Sequence, residues 1–124
     1  MDAPITIELP YPPFTGNTAT RHANGVHYRR PEAVKYRGLI RMLIASQRLD
    51  LGLPGPLQVE WVLAPPDRRA RDQTNVLKEA EDCLTAAGLW LDDSNKVIRR
   101  TTVEWTEPVK GGAILVTIRP FASQ

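Results

Sequence analysis

The amino-acid sequence predicts an α+β fold, in which a mainly antiparallel or mixed β-sheet is packed by two α-helices. Several short segments alternate apolar and polar residues, as half-buried strands do. Two longer segments instead repeat their apolar residues with the period of about 3.6 that is typical of an amphipathic helix. With 124 residues, 42% of them hydrophobic and 24% charged, the chain suits one globular domain with a modest core. We therefore expect residues 1–124 to form a single domain.

The first strand is predicted at Ile5–Leu9, where apolar residues alternate with Thr6 and Glu8. Several prolines follow closely, and they favour an end to regular structure. The segment Phe14–Arg30 is then predicted to be a long loop, and a long loop in a small domain is commonly functional.

Pro31 suits the first turn of an α-helix, which we expect to extend to about Leu49. The residues predicted to be buried on this helix are Val34, Leu39, Leu43 and Ile44. After a turn, Leu57–Leu63 alternates apolar and polar residues and predicts a second strand.

A second helix is predicted at Asp72–Ala87, because apolar residues recur there at helical spacing and Gly88 supplies a left-handed stop. Those apolar residues are Val76, Leu77, Ala80, Cys83, Leu84 and Ala87. Cys83, the only cysteine, is expected to pack as a small hydrophobic residue. Further on, Val97–Thr106 and Ala113–Arg119 show strand alternation and are predicted to pair as a β-hairpin.

Charged residues at both ends of the second helix point to metal-dependent chemistry on a phosphodiester. Asp72 begins the helix, and the adjacent Asp92 and Asp93 follow it after a short segment. Carboxylates bind divalent cations, and the arginines immediately before the helix are suited to hold phosphates. The polar residues on the predicted exposed face are Asn75, Lys78 and Asp82. The simpler interpretation is a solvated surface helix capped by Asp72, with the aspartate pair forming a turn.

The charges are unevenly distributed along the chain, although the formal net charge is only +2. Between Arg21 and Arg48 there are seven lysines and arginines against the single acid Glu32. The acidic residues concentrate later, at Glu79, Glu81, Asp82, Asp92 and Asp93. A basic surface beside an acidic site suits a nucleic acid that is bound broadly and cut locally.

The polar pattern from Asp72 to Asp93 resembles that of the RusA-type Holliday junction resolvases, which are small phage and prophage endonucleases. The matching residues are Asp72, Asn75, Lys78, Asp82, Leu84, Gly88, Asp92 and Asp93. Three further segments are similar to the family, so the resemblance covers nearly the whole chain. They are the arginine-rich Pro66–Arg71, the opening Leu9–Pro13 with Asn17, and Lys110–Gly112.

The resemblance implies an endonuclease that resolves four-way DNA junctions in recombination and repair by paired symmetric nicks, and that acts as a homodimer. It implies Mg²⁺, with Mn²⁺ able to substitute, held by Asp72, Asp92 and Asp93. Lys78 is expected at the scissile phosphate. The supporting residues are Thr74, Asn75 and Asp82, and the residues expected to bind DNA are Arg21, Arg29, Arg30, Arg68, Arg69 and Arg71.

One position departs from the family pattern. Many members carry a further catalytic aspartate where this chain has Thr74, which supplies no negative charge. This departure motivates an alternative, a junction-binding module that kept the fold and lost cleavage. A third and more remote interpretation is a purely structural or interaction domain.

Other features limit the remaining function classes. The sequence has no glycine-rich phosphate loop, which predicts that no nucleotide cofactor is used. No apolar run approaches the roughly 20 residues that a membrane span needs, so we expect a soluble, cytoplasmic protein without a membrane partner. Trp61, Trp90 and Trp105 are predicted to be core or interface residues, with Trp90 left open as a contact to the substrate.

Overall fold

A computed structural model of the protein describes residues 3–13, 20–23 and 26–122, and only the backbone is described for the strand residues among 20–29. These residues form helices and strands of an α+β fold, as predicted. In chain order they are β1 (Ile5–Leu9), β2 (Thr20–Ala23), β3 (Val26–Arg29), α1 (Pro31–Ser46), β4 (Leu57–Ala64), α2 (Gln73–Ala86), β5 (Ile98–Trp105) and β6 (Ala113–Pro120).

The contacts between residues group the chain into two compact units. The first consists of Met1–Tyr11, Leu53–Arg71 and Trp90–Gln124, and it contains β1, β4, β5 and β6. The second consists of Pro12–Gly52 and Asp72–Leu89, and it contains β2, β3 and both helices. The expectation of a single domain over residues 1–124 stays a prediction.

The first unit is built on a four-stranded mixed sheet with the strand order β1-β6-β4-β5. Strand β6 pairs antiparallel with both β1 and β4, whereas β4 pairs in parallel with β5. The predicted hairpin of β5 and β6 is therefore wrong, because β4 lies between them. A parallel pair needs a long connection, and the chain between β4 and β5 provides one that includes α2.

Strand β4 carries the centre of this sheet's core. Its residues alternate between buried and half-buried along the whole strand, as the alternation of the sequence predicts. Trp61 on β4 is 1% exposed, and Trp90 is also 1% exposed, so both belong to the core. Trp90 is therefore not a surface for the substrate. The other fully buried residues of the paired strands are Ile7, Leu9, Val59, Leu63, Ile114, Val116 and Ile118.

Helix α1 of the second unit begins at Pro31, as predicted, and ends at Ser46 rather than near Leu49. It ends there because Arg48 adopts a left-handed backbone with φ of 55°. The buried residues are Ala33, Tyr36, Ile40 and Ile44. The predicted burial of Val34 and Leu39 is wrong, since they are 56% and 43% exposed.

These two residues are misplaced because helical spacing alone allows more than one choice of buried face. The observed face repeats at intervals of three and four residues from Ala33, and Val34 is turned about 100° away from it. Leu43 is half-buried at the edge of the face, and Ile44 is buried as predicted.

The predicted loop Phe14–Arg30 contains a two-stranded antiparallel ribbon, in which Thr20 is paired with Arg29 and Ala23 with Val26. The loop prediction is therefore wrong for these strand positions. Four-residue strands with mixed polar sequences carry no alternation long enough to be recognised. Asn17 and the rest of residues 14–19 lie outside the described part of the chain.

Helix α2 spans Gln73–Ala86, with Asp72 as its N-cap and Gly88 at φ of 88° after its end. Both ends agree with the prediction, as does the burial of Val76, Ala80, Cys83 and Leu84. Among the described residues, no helix is long and apolar enough to cross a membrane.

Glu79 is the exception on α2, because it is a buried carboxyl residue with only 2% exposure. Glu79 is therefore not part of an exposed acidic site. The Cys83 thiol donates to Glu79 Oε1 at 3.6 Å. Burial, with the adjacent Glu79 carboxylate, raises the pKa of Cys83 to about 12, and Arg37 of α1 partly opposes this. The helix pair thus encloses a polar cluster of Arg37, Glu79 and Cys83, and Cys83 is buried as predicted.

Candidate functional site

Asp72 is placed at the start of α2 by its own hydrogen bonds. Its backbone is extended, with φ of −95° and ψ of 118°, and its Oδ1 accepts from the Thr74 N–H at 2.9 Å. The Asn75 N–H donates to the Asp72 carbonyl oxygen at 3.2 Å. The Asp72 side chain is exposed, beside the positive end of the α2 dipole. It is therefore a genuine cap, and it also presents a carboxylate to solvent.

The three polar residues predicted on the exposed face of α2 share one side of the helix but differ in exposure. Asn75, Lys78 and Asp82 are spaced by three and four residues, which puts them on one side of the helix. Lys78 is exposed, and the two neighbours are half-buried. Thr74, the position that departs from the family pattern, is exposed in the first turn. This face could present a cation and polar groups to a ligand.

Asp92 and Asp93 lie in the first unit, in the segment that precedes β5, and both are exposed. Asp92 Oδ1 accepts from the Ser94 N–H at 2.7 Å, which closes a short turn. The hydrogen bonds from Ser94 hold the pKa of Asp92 below its ordinary value, and the charge of Lys96 adds to this effect. Asp92 is thus anionic at neutral pH, in the form that a metal ion requires.

The donors of the predicted metal site are chemically suitable for Mg²⁺. Asp72, Asp92 and Asp93 all expose carboxylate oxygens, the hard ligands that this ion prefers. Asp72 belongs to the second unit and the other two to the first. Across residues 3–13, 20–23 and 26–122, no group of three or more His, Cys, Asp or Glu side chains is gathered to hold a metal ion. The shared ligand set therefore stays a prediction.

Residues Asp67–Arg71, which we call the arginine loop, are organised around the Asp67 carboxylate. Oδ1 of Asp67 accepts from the Arg69 backbone N–H at 2.9 Å, and Oδ2 accepts from Arg69 Nη2 at 2.9 Å. Arg71 Nη2 lies 2.8 Å from Oδ1. The side-chain hydrogen bond from Arg69 is the largest influence that lowers the pKa of Asp67, so the carboxylate remains charged. The arginine loop therefore has a defined shape.

The three arginines of this loop have different roles in the fold. The Arg71 side chain is only 16% exposed, and its Nη1 donates to the carbonyl oxygens of Asp67 and Arg69 at 3.1 and 3.0 Å. Arg68 and Arg69 are 83% and 82% exposed. Arg71 thus supports the loop, while Arg68 and Arg69 are presented to solvent.

The remaining predicted DNA-binding residues lie before α1. Arg30 forms an ion pair with Glu32, with 3.4 Å between Nε and Oε2. The side chains of Arg21 and Arg29 lie outside the described part of the structure, so their roles stay predictions.

Tyr11 connects two of the segments that resemble the family to the arginine loop. It belongs to Leu9–Pro13, and it lies next to Gly112 of Lys110–Gly112 and next to Arg71. The Arg71 guanidinium lies over the Tyr11 ring at 6.0 Å. Gly112 has φ of 72°, and a Cβ there would come within 2.7 Å of Tyr11 Cβ. Glycine is therefore required at this position, both by its backbone and by its contact with Tyr11. Gly112 therefore packs against Tyr11, and Tyr11 packs against Arg71, so these contacts support the arginine loop.

Gly112→Ala is expected to lower the free energy of unfolding by more than the roughly 1–3 kcal/mol of a left-handed backbone alone. The added methyl group must also displace Tyr11. Gly111→Ala is the matched control, since Gly111 has φ of 79° but nothing within 4 Å of its Cβ position. Urea unfolding of both variants measures the difference. An equal loss of unfolding free energy in the two variants would show that the contact between residue 112 and Tyr11 has no effect on stability.

Some contacts of charged residues were not identified from the sequence. Asp67 could have been noticed, because its spacing of two and four residues from Arg69 and Arg71 allows local ion pairs. Arg99 and Arg100 lie over the Phe121 ring at 5.6 and 5.0 Å. Their pairing with Phe121 depends on the sheet, and the local sequence has no signal for it.

Comparison with known proteins identifies the family. A family model described as endodeoxyribonuclease RusA matches residues 10–119. The crossover junction endodeoxyribonuclease RusA of Escherichia coli strain K12 is 38% identical over 120 residues, 96% of this chain and 97% of the relative. The protein of that name in Enterobacteria phage 82 is 37% identical over 119 residues, 95% of this chain and 96% of the relative. The resemblance seen in the sequence is confirmed, and the chain belongs to the RusA endodeoxyribonuclease family.

Proposed function

We propose that this protein is a metal-dependent endonuclease that recognises four-way DNA junctions and resolves them by paired symmetric nicks. Relatives that carry the name crossover junction endodeoxyribonuclease match 96% of the chain. The structural observation that supports the proposal most strongly is the position of Asp72. It presents an exposed carboxylate at the start of α2, directly after a loop that exposes Arg68 and Arg69.

In this proposal, the residues that hold the metal ion are Asp72, Asp92 and Asp93. When bound there, Mg²⁺, or Mn²⁺ in its place, would supply positive charge at the phosphate and would activate a water for attack. Lys78 places its ammonium group near the scissile phosphate and stabilises the negative charge that develops there. Asn75, half-buried beside Lys78 on the same helix face, helps to orient it.

Asp82 completes the polar face and supports Lys78 from the following turn of α2, four residues away. Thr74 replaces the family carboxylate with a hydroxyl, which is suited to hold a metal-bound water. One Mg²⁺ commonly needs only one or two protein carboxylates together with substrate oxygens. In the proposal, Asp72, Asp92 and Asp93 therefore provide enough carboxylates to hold one Mg²⁺ without an acidic residue at position 74.

The arginine loop binds the sugar–phosphate backbone of the DNA. Arg68 and Arg69 are the most exposed arginines of the loop, and guanidinium groups pair well with phosphate oxygens. Arg21, Arg29 and Arg30 are further DNA-binding residues in the proposal. A four-way junction has twofold character, so two symmetric nicks require two copies of the site, and we propose a homodimer.

Preferential binding of junctions is the first test of this function. In EDTA, the protein is expected to bind a labelled four-way junction more tightly than a linear duplex with the same arm sequence. The affinity should fall steeply with salt, because phosphate contacts release counterions. Equal and salt-independent binding to both DNAs would instead support the structural-domain alternative.

Thr74→Asp separates the enzyme from the non-catalytic junction-binding module. In an active enzyme, the added carboxylate should tighten metal binding and lower the Mg²⁺ concentration for half-maximal cleavage. The fold should tolerate it, because an acidic residue in the first turn of α2 is favourable by about 0.3–1 kcal/mol. Gln73→Asp is the matched control, since it adds the same charge one residue away. A wild type that is inert with Mg²⁺ and Mn²⁺, together with an active Thr74→Asp, would establish the binding module.

A further inference from the structure

A pocket of about 350 Å³ lies in the first unit, beside the arginine loop. Its volume is within the roughly 300–1,000 Å³ of small-ligand sites. The pocket is located where β4 ends at Ala64 and β5 ends at Trp105. These strands are parallel, so their carboxyl ends meet at the same edge of the sheet. Such edges are common places for ligands in sheets with parallel strands.

The pocket combines an aromatic side chain with apolar walls. Its lining includes Pro65, Trp105 and Pro108. The Thr106 N–H donates to the Leu63 carbonyl oxygen at 2.9 Å, which fixes the backbone next to Trp105. Trp105 is half-buried, whereas the other two tryptophans are 1% exposed. Trp105 is therefore the tryptophan that a ligand can reach.

Positive charge surrounds this aromatic wall, because the lining contains three arginines against two carboxylates. The Asp67 carboxylate is engaged by both Arg69 and Arg71. Arg68 Nη1 lies 3.5 Å from Glu107 Oε2, and these side chains are 83% and 86% exposed. An ion pair of such exposed groups contributes little, so a phosphate readily replaces Glu107 as the partner of Arg68.

We propose that this pocket receives one unstacked nucleotide of the junction, with its base against the Trp105 indole and its phosphate at Arg68 and Arg69. Aromatic stacking combined with nearby arginines is the general way in which proteins hold bases outside a duplex. A base within a duplex arm is stacked on both neighbours, so the nucleotides at the branch are the available ones. The inference rests on the proposed function and names the part of the substrate that this pocket reads.

Fluorescence of the DNA tests the contact directly. Junctions carrying 2-aminopurine at each nucleotide flanking the branch in turn are titrated with protein in EDTA. At one of these positions, stacking on Trp105 should quench the probe with wild-type protein and with Trp105→Phe, and not with Trp105→Ala. A probe placed in the middle of an arm should not change. Identical probe responses with wild type and Trp105→Ala would overturn the assignment.

Affinity provides a second measurement. Trp105→Ala is expected to weaken junction binding roughly 5- to 150-fold, the usual effect of losing one base–aromatic stack, with little change for linear duplex. Val109→Ala is the matched control, because Val109 is 45% exposed close to the pocket and does not line it. Its affinity should equal that of wild type.

The two proposals fail in distinguishable ways. If wild-type protein binds junctions no better than duplex, the proposed function and the nucleotide pocket are both overturned. If it binds junctions preferentially and Trp105→Ala keeps the wild-type affinity, only the pocket assignment is wrong. Quenching of the wild-type tryptophan emission by junction, and not by duplex, supports the pocket without any variant, because Trp61 and Trp90 are buried.

Discussion

Asp72→Asn is expected to lower junction cleavage by at least about 10²-fold, the order of effect seen when one electrostatic group is removed from an active site. The fold should be unaffected, because asparagine caps helices as well as aspartate does. Its side-chain oxygen can still accept from the Thr74 N–H that Asp72 Oδ1 accepts at 2.9 Å. The substitution therefore removes the negative metal ligand and retains the cap. Single-turnover cleavage and urea unfolding measure the two properties separately.

Asp72→Ala is the control, since it removes both the ligand and the cap. It should lose cleavage and, in addition, about 1 kcal/mol of stability. If Asp72→Asn cut junctions at the wild-type rate, Asp72 would be a helix cap without a catalytic role.

Asp93→Asn should also abolish cleavage and keep junction binding. Binding should become tighter, because the substitution removes a negative carboxylate that repels the phosphates of the DNA.

Lys78→Ala is expected to reduce the cleavage rate by roughly 10²–10³-fold, because the proposed charge at the scissile phosphate is lost. Lys78 is exposed on α2, and alanine is favourable in a helix, so stability should change by less than about 0.5 kcal/mol. Junction binding should fall only slightly. The measurement is the single-turnover rate at saturating protein and Mg²⁺.

Lys35→Ala is the matched control for Lys78, since Lys35 is an exposed lysine on the other helix and has no proposed catalytic role. It should leave the single-turnover rate unchanged, with at most a small effect on binding. Equal rates for Lys78→Ala and Lys35→Ala would show that Lys78 contributes only general positive charge.

The sequence was most informative where one element has one buried face. Strand β4 alternates strictly between buried and half-buried residues, and the limits of α2 agree with the prediction within a residue or two. In both elements the spacing of the apolar residues in the sequence matches the spacing of the buried positions in the structure. The cap at Asp72 and the stop at Gly88 are likewise local, and local sequence was enough to predict them.

The partner of each strand could not be predicted in this way. Strands β5 and β6 both look like members of a hairpin, yet each pairs with β4. Alternation records which face of a strand is buried and contains no information on its neighbour. The pocket at Trp105 was missed for the same reason, because it exists only where the ends of the parallel strands β4 and β5 meet.

Glu79 shows a different limit. It lies three residues after Val76 and four before Cys83, so helical spacing places it on the apolar face. A carboxylate is typical of the surface, whereas the structure buries Glu79 beside Cys83. The position of Glu79 on the helix is therefore a better guide to its burial than its residue type.

Cleavage of a four-way junction labelled in turn on each strand tests the central claim most directly, with Mg²⁺ in one series and EDTA in the other. We expect Mg²⁺ to produce two nicks at symmetric positions on opposite strands, and EDTA to prevent both while the junction remains bound. A linear duplex of the same sequence should stay intact. A junction that is bound but remains uncut at every Mg²⁺ and Mn²⁺ concentration would contradict the nuclease, and cleavage of duplex and junction at equal rates would contradict the resolvase.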